Sequence, residues 1–306
     1  MVGDRGIDAA PKGPIYIGGA SRSGKTLMRW ILSSHSRIVV TRRTEMWTRF
    51  AGEFGDLADP ENLERCLGAM LRRRHIAELE PDLPRLRRDF RAGPATYGRL
   101  FGLVHEQYAK RSGKPRWGDQ TARIERSADQ IFSENPRARF LHLVRDPRDR
   151  FAALLERGRR RPGAVGQATA VWLASASDAL RNRRRYGGRY EVVRYEDLVA
   201  GPERTMREVC AFLGEEFEPG ILRMDGVRRY DAIRATTEDE SAISAAFVGR
   251  YRLSLSRADV AFIQSIAGQR MLAFDYPLDP FRLTPGERFR YAVRWPASIA
   301  RVRSSA

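Results

Sequence analysis

PIYIGGASRSGKTLMRWILSSH, residues 14–35, sets a strand, a tight loop and a helix in immediate succession. PIYIGG (14–19) is short, apolar and bounded by Pro14 and a glycine pair, as expected of a strand buried on both faces. Residues 25–34 carry helical spacing. Between them, Gly19-Ala20-Ser21-Arg22-Ser23-Gly24-Lys25-Thr26 has the Walker spacing of Gly, four residues, then Gly-Lys-Thr. Glycine lets the backbone close around an oxyanion, and the helix that follows turns its positive end toward it. The segment therefore reads as a phosphate-binding loop.

Further strands are expected at 38–40, at RFLHLV (139–144) and at YEVVRY (190–195). Helices are expected over 59–75, 95–110, 167–186, 203–213, 256–268 and 286–295, with another starting at Asp146-Pro147, where Asp caps and Pro fits the first turn. Strands alternating with helices predict an α/β fold, a three-layer sandwich with a central parallel sheet. Residues 1–13 read as a disordered-looking start, 14–306 as one domain and 284–306 as a basic C-terminal helix or tail.

The formal net charge is +17, and only four of the 55 basic residues are lysines (Lys12, Lys25, Lys110, Lys114). Such a field attracts nucleotides, sulfated or phosphorylated compounds and acidic membranes. Two cysteines, Cys66 and Cys210, are too few for a disulfide framework, and no stretch has signal-peptide or membrane-spanning character. A cytoplasmic protein is expected. The segment 285–303 mixes arginines with Phe289, Tyr291 and Trp295. It allows either a docked terminal helix, interrupted by Pro296, or peripheral contact with an acidic membrane face.

The loop alone suits an ATP-dependent kinase as well as a sulfuryl-transfer enzyme. A kinase needs a magnesium-binding carboxylate at the end of a second strand. Here Arg145 comes first at the end of 139–144, and Asp146 is read as a helix cap.

SRSGKTLMRWILSSH (21–35) resembles the 5′-phosphosulfate loop of sulfotransferases that use 3′-phosphoadenosine 5′-phosphosulfate (PAPS). FLHLVRDPRDRFAA (140–153) resembles their 3′-phosphate motif, and VRYEDLVAGPERTMREVCAFLG (193–214) their Tyr-Glu-Asp-Leu segment. RWGDQT (116–121) and VGRYR (248–252) are similar to segments of bacterial members. The resemblance implies PAPS as donor and adenosine 3′,5′-bisphosphate (PAP) as product, with no metal required. It implies that Arg22, Ser23, Gly24, Lys25 and Thr26 hold the 5′-phosphosulfate, Arg145 the 3′-phosphate, and Tyr195 and Arg250 the rest of the nucleotide. Three positions depart from the family pattern: Lys25 stands where Thr is usual, Ala153 where Ser is common and Gln120 where many members have Lys. Arg157 is the expected substitute for the missing serine contact.

Sulfuryl transfer needs in-line geometry, cations on the leaving oxygen and a base for the acceptor. Arg22 and Lys25 are the candidate cations, and Glu45 and Asp119 the candidate bases. The histidines lack ligand spacing, so no metal site is expected. The acceptor is expected to be a small-molecule, carbohydrate or lipid-linked hydroxyl compound, and nucleic acid is not an expected partner. A magnesium–ATP kinase and a basic nucleic-acid or membrane binding module are the competing readings.

Overall fold

The structure, a computed structural model, describes residues 12–156, 158, 162–224, 243–280, 284–288 and 299. Five strands form one parallel sheet in the order β2-β3-β1-β4-β5, with β1 Ile15–Gly18, β2 Ile38–Arg42, β3 Arg116–Gln120, β4 Arg139–Val144 and β5 Tyr190–Arg194. The helices are α1 Lys25–Ser33, α2 Met46–Arg49, α3 Pro60–Leu71, α4 Arg74–Ala77, α5 Leu83–Arg91, α6 Tyr97–Arg111, α7 Ala128–Glu134, α8 Pro147–Glu156, α9 Ala164–Tyr186, α10 Tyr195–Ala200, α11 Pro202–Leu213, α12 Tyr251–Ser254 and α13 Arg257–Leu272.

Alternation along the central strand sorts the core. Ile15 and Ile17 point toward Leu27, Met28, Ile31 and Leu32 of α1 and toward Met206, Val209 and Leu213 of α11. Tyr16 points the other way, to Trp47, Phe101, Trp117 and Phe140, under α6 and α7. On that second face Trp172 and Ala176 of α9 pack with Phe262 and Ile263 of α13. Helices on both faces make the predicted three-layer sandwich, the arrangement that a parallel sheet requires to bury its strands.

β3 is an addition to the expected elements. RWGDQ lacks the apolar run that marks the other strands, yet every residue of it is buried. Its place between β2 and β1 makes it a strand. At Gly118 an added Cβ would come within 2.7 Å of the Ile15 carbonyl oxygen, so the close approach of β1 excludes any side chain there. The expected helix 59–75 ends at Leu71 and resumes as α4, and α5 lies where no helix is expected. Most of the expected helix 286–295 lies outside the described residues, as do 1–11 and most of 284–306.

Topology places the site. From β1 the chain moves out to β2, returns as β3 beside β1, and then crosses to β4 on the other flank. The strand order therefore reverses around β1. In open α/β sheets ligands bind at such a switch, outside the carboxyl ends of the strands.

Candidate active site

The loop after β1 is held from outside. Arg150 of α8, 2% exposed, donates from Nε to the Ser21 carbonyl at 2.7 Å, from Nη2 to Ser21 Oγ at 3.2 Å and from Nη1 to the Ala168 carbonyl at 2.7 Å. Ser23 Oγ closes the turn by donating to the Ala20 carbonyl at 2.8 Å. Gly24 precedes α1 with φ 90°, and a Cβ there would lie 2.6 Å from the Tyr195 ring. Glycine is thus required twice over, by the left-handed backbone and by the ring. Arg22 also has a positive φ, 68°, which costs a non-glycine residue energy and is commonest at functional sites.

The Lys25 ammonium folds back on the loop and donates to the Gly19 and Ala20 carbonyls. Burial lowers its pKa to about 8, against the opposing pull of Glu125. Glu125, 2% exposed, lies beneath the loop. It accepts from Gly19 N at 3.0 Å and from Ser175 Oγ of α9 at 2.9 Å. Burial disfavours its charge, but His142, Lys25 and the Gly19 N–H hold its pKa below the ordinary carboxylate range. The network continues from Ser175 to His142 Nε2 at 3.0 Å and from His142 Nδ1 to the Tyr190 hydroxyl at 2.7 Å.

One strand over, Arg145 is 6% exposed. Its guanidinium lies 4.4 Å above the Tyr195 ring and donates to the carbonyls of Arg22 at 3.3 Å and Phe247 at 2.8 Å. Its Nε is buried with no hydrogen-bond partner among the described residues. A buried guanidinium is costly unless its donors are used, so this idle donor is a candidate contact for a bound anion. Asp146 is not aimed at the site. Its carboxylate caps α8 through Arg148 N at 2.8 Å and clamps the Arg148 guanidinium, Nη2 to Oδ2, at 2.7 Å, as the sequence led us to expect.

A strap from Phe247 to Tyr251 crosses above Arg145. Asp149 anchors it, accepting from Gly249 N at 2.7 Å and Tyr251 N at 2.9 Å. Arg250 rides on this strap but pairs with Glu156 at 3.2 Å rather than turning toward Arg145. Arg157 lies outside the described residues. Ala153 is buried in α8 and has no polar group to offer.

The two candidate bases differ sharply. Asp119 is 1% exposed in β3, and burial raises its pKa. Its oxygens accept from the hydroxyls of Thr41 at 3.1 Å, Thr44 at 2.8 Å and Thr121 at 3.2 Å. Glu45 follows β2 at the rim, with Oε2 bound by Arg49 at 3.0 Å and Arg73 at 2.6 Å. Its backbone N–H donates to Thr121 Oγ1 at 3.2 Å, tying the tips of β2 and β3 together.

The structure therefore brings Arg22, Ser23, Gly24, Lys25, Arg145 and Tyr195 into one cluster, with Thr26 exposed at the start of α1 and Arg250 beside it on the strap. Sequence reasoning missed Glu125, Asp149 and Arg150. In a chain so rich in arginine, alternating charges such as RDPRDR resemble a solvated helix face, and nothing local marks them as buried.

The fold and loop define an α/β protein with a loop of Walker spacing at the switch between β1 and β4. A sequence model of the sulfotransferase family matches residues 14–219, and the chain belongs to that family. It is 30% identical over 179 residues to carbohydrate sulfotransferase 1 of Danio rerio, an alignment covering 48% of this chain and 41% of the relative. The chain thus matches well under half the length of that curated relative. The sulfotransferase domain of the Synechococcus PCC 7002 olefin synthase superposes with a TM-score of 0.62 at 22% identity, over 89% of this chain and 98% of that one. The mouse sulfotransferase SULT7A1, complexed with PAP, superposes with a TM-score of 0.50 at 11% identity, over 92% of this chain and 89% of that one. At these identities the two structures establish a shared fold.

Proposed function

We propose that the chain moves a sulfuryl group from PAPS to a hydroxyl of a sugar, glycolipid or other small-molecule acceptor, leaving PAP. The observation that carries this reading is Arg145: a buried guanidinium with a spare donor, stacked on Tyr195, one strand from the phosphate loop. Two cationic places at neighbouring strand tips suit a nucleotide with anions at both ends of its adenosine. A triphosphate needs only the first.

The residues fit the donor. Arg22, Ser23, Gly24, Lys25 and Thr26 would hold the 5′-phosphosulfate and Arg145 the 3′-phosphate, with Tyr195 beside it. When bound, PAPS supplies an activated sulfuryl group with a phosphate leaving group. The chain's own contribution is positional and electrostatic: preorganised cations for charge that grows on the leaving oxygen, each worth roughly 3–4 kcal/mol at a dry site. Arg150, by fixing Ser21, makes that preorganisation rigid. Of the two carboxylates, Glu45 is placed to take the acceptor's proton, because it stands at the open rim. Asp119, enclosed by hydroxyls, acts through Thr44 and Thr121 by holding the tips of β2 and β3.

Calorimetric titration of the protein with PAP and with magnesium–ATP, on wild type and Arg145→Ala, tests the reading. PAP should bind far more tightly than ATP. Arg145→Ala should remove about 2–3 kcal/mol of that preference, as expected for a charge-assisted hydrogen bond between two ionised groups. Equal affinities, or a preference untouched by the substitution, would return the kinase reading.

A further inference from the structure

Beside the phosphate loop, on the face of α8 and α9, lies a cavity of about 550 Å³. That is within the usual range for small-molecule sites, about 300–1,000 Å³. Its wall includes Gly19, Ala20 and Ser21, so whatever occupies it abuts the loop itself. Glu125 and Ser175 line the inner side and are bonded to each other and, through Glu125, to Gly19 N. Phe151 and Leu154 of α8 and Val171 of α9 give it an apolar side.

The rim has the opposite character. Arg123 and Arg126 both line the cavity and both are exposed, which puts them where it opens to solvent. Arg123 is the residue before a short 3-10 turn and has φ 64°, a left-handed backbone that a non-glycine residue adopts at a cost. Its guanidinium has no ion pair or hydrogen bond with any described residue. Arg126 has one acidic neighbour, Asp178, at 3.8 Å, and its side chain is 50% exposed. Glu125 contributes a negative charge to the inner wall, where the Gly19 N–H and the Ser175 hydroxyl hold it away from the mouth, so the exposed guanidiniums of Arg123 and Arg126 set the sign at the opening.

We propose that this cavity holds the body of the acceptor and that it selects hydroxyl compounds carrying an anionic group, held by Arg123 and Arg126 at its mouth while the reacting hydroxyl extends past the loop toward the tips of β2 and β3, where Glu45 stands. The apolar side suits the carbon face of a ring, and the two guanidiniums suit a carboxylate or a sulfate ester, both of which they bind in a forked geometry. The acceptor class rests on the sulfuryl-transfer reading, whereas the anion preference of the cavity is a property of the rim alone.

The test is binding to the full chain saturated with PAP, using glucose, glucuronate and glucose 6-sulfate as probes, followed by calorimetry or ligand-observed NMR. At least one anionic sugar should bind about tenfold more tightly than glucose, the product of two half-exposed charge contacts. Arg123→Ala combined with Arg126→Ala should abolish that advantage and leave PAP affinity unchanged. Arg270→Ala with Arg257→Ala, an equal loss of charge on exposed α13 positions, should preserve it. Equal binding of glucose and both anions, an advantage that survives in the rim variant, or a loss shared by the α13 variant would each overturn the proposal. Failure of PAP to bind the wild type would instead sink the donor reading, and the same comparison on the free protein would then judge the rim by itself.

Discussion

Arg145 and Glu45 show how a charged side chain takes its role from its degree of burial. Arg145, 6% exposed, keeps a donor in reserve, and its stacking on Tyr195 fixes the plane in which that donor acts. Glu45 lies at the rim, where Arg49 and Arg73 orient its carboxylate without enclosing it. On the proposed reading, a base placed this way would serve the chemical step and contribute little to donor binding. Glu45→Gln should therefore lower kcat by about 10²–10⁴-fold, the range for loss of general-base help, with PAP affinity within twofold of wild type. A PAP affinity that falls in step with kcat would show that Glu45 supports the nucleotide site instead. Both Arg145 and Glu45 stood out in the sequence because each closes or follows a strand. Glu125 and Arg150 did not, because their importance comes from neighbours more than 100 residues away along the chain.

At the scale of elements, α8 is the organiser. Its first turn is capped by Asp146, Arg150 reaches back to the phosphate loop, and Asp149 holds the strap over Arg145. The expected helix start at Asp146-Pro147 is borne out, and its function as a brace for two other segments could be seen only in three dimensions. Burial raises the pKa of Asp149, opposed by the Tyr251 and Gly249 N–H groups, so the anchor is a desolvated carboxylate whose partners are both backbone. Asp149→Ala should free the strap and weaken PAP binding by about tenfold while the far-UV circular dichroism spectrum stays native, since a lost pair of charge-assisted hydrogen bonds costs roughly 1.5–3 kcal/mol each before the strap relaxes. If Asp149→Ala binds PAP as wild type does, the strap takes no part in the nucleotide site.

For the molecule as a whole, the buried network under the loop links the site to stability. His142 is fully enclosed between Ser175 and Tyr190, and burial pushes its pKa down from 6.5 to about 4. The unfolded chain therefore takes up this proton at a higher pH than the folded chain does. The folded state loses stability as pH falls from about 6.5 to about 4, by about 3 kcal/mol from this group, and gains nothing further from it above that window. Urea unfolding at pH 7 and pH 4.5 measures the difference. In His142→Gln, which keeps a polar group between Ser175 and Tyr190, the drop between those two pH values should shrink by most of that amount. An unchanged drop would place the acid sensitivity elsewhere.

Residues 14–35 and 139–147 carried the class of fold and the strand, loop and helix form of the proposed phosphate site within themselves, because a buried parallel strand needs an unbroken apolar run and such a loop needs its glycine beside a helix start. Local physics suffices for both. The tertiary structure alone decided that RWGDQ is the strand between β2 and β1, that Asp119 is enclosed by Thr41, Thr44 and Thr121, and that Arg150 and Glu125 meet the loop from α8 and from beneath. Those facts depend on which segments the sheet order brings side by side. A charged side chain spells the same in a sequence whether it ends in water or in a partner's hydrogen bonds, and only the packed neighbours distinguish the two.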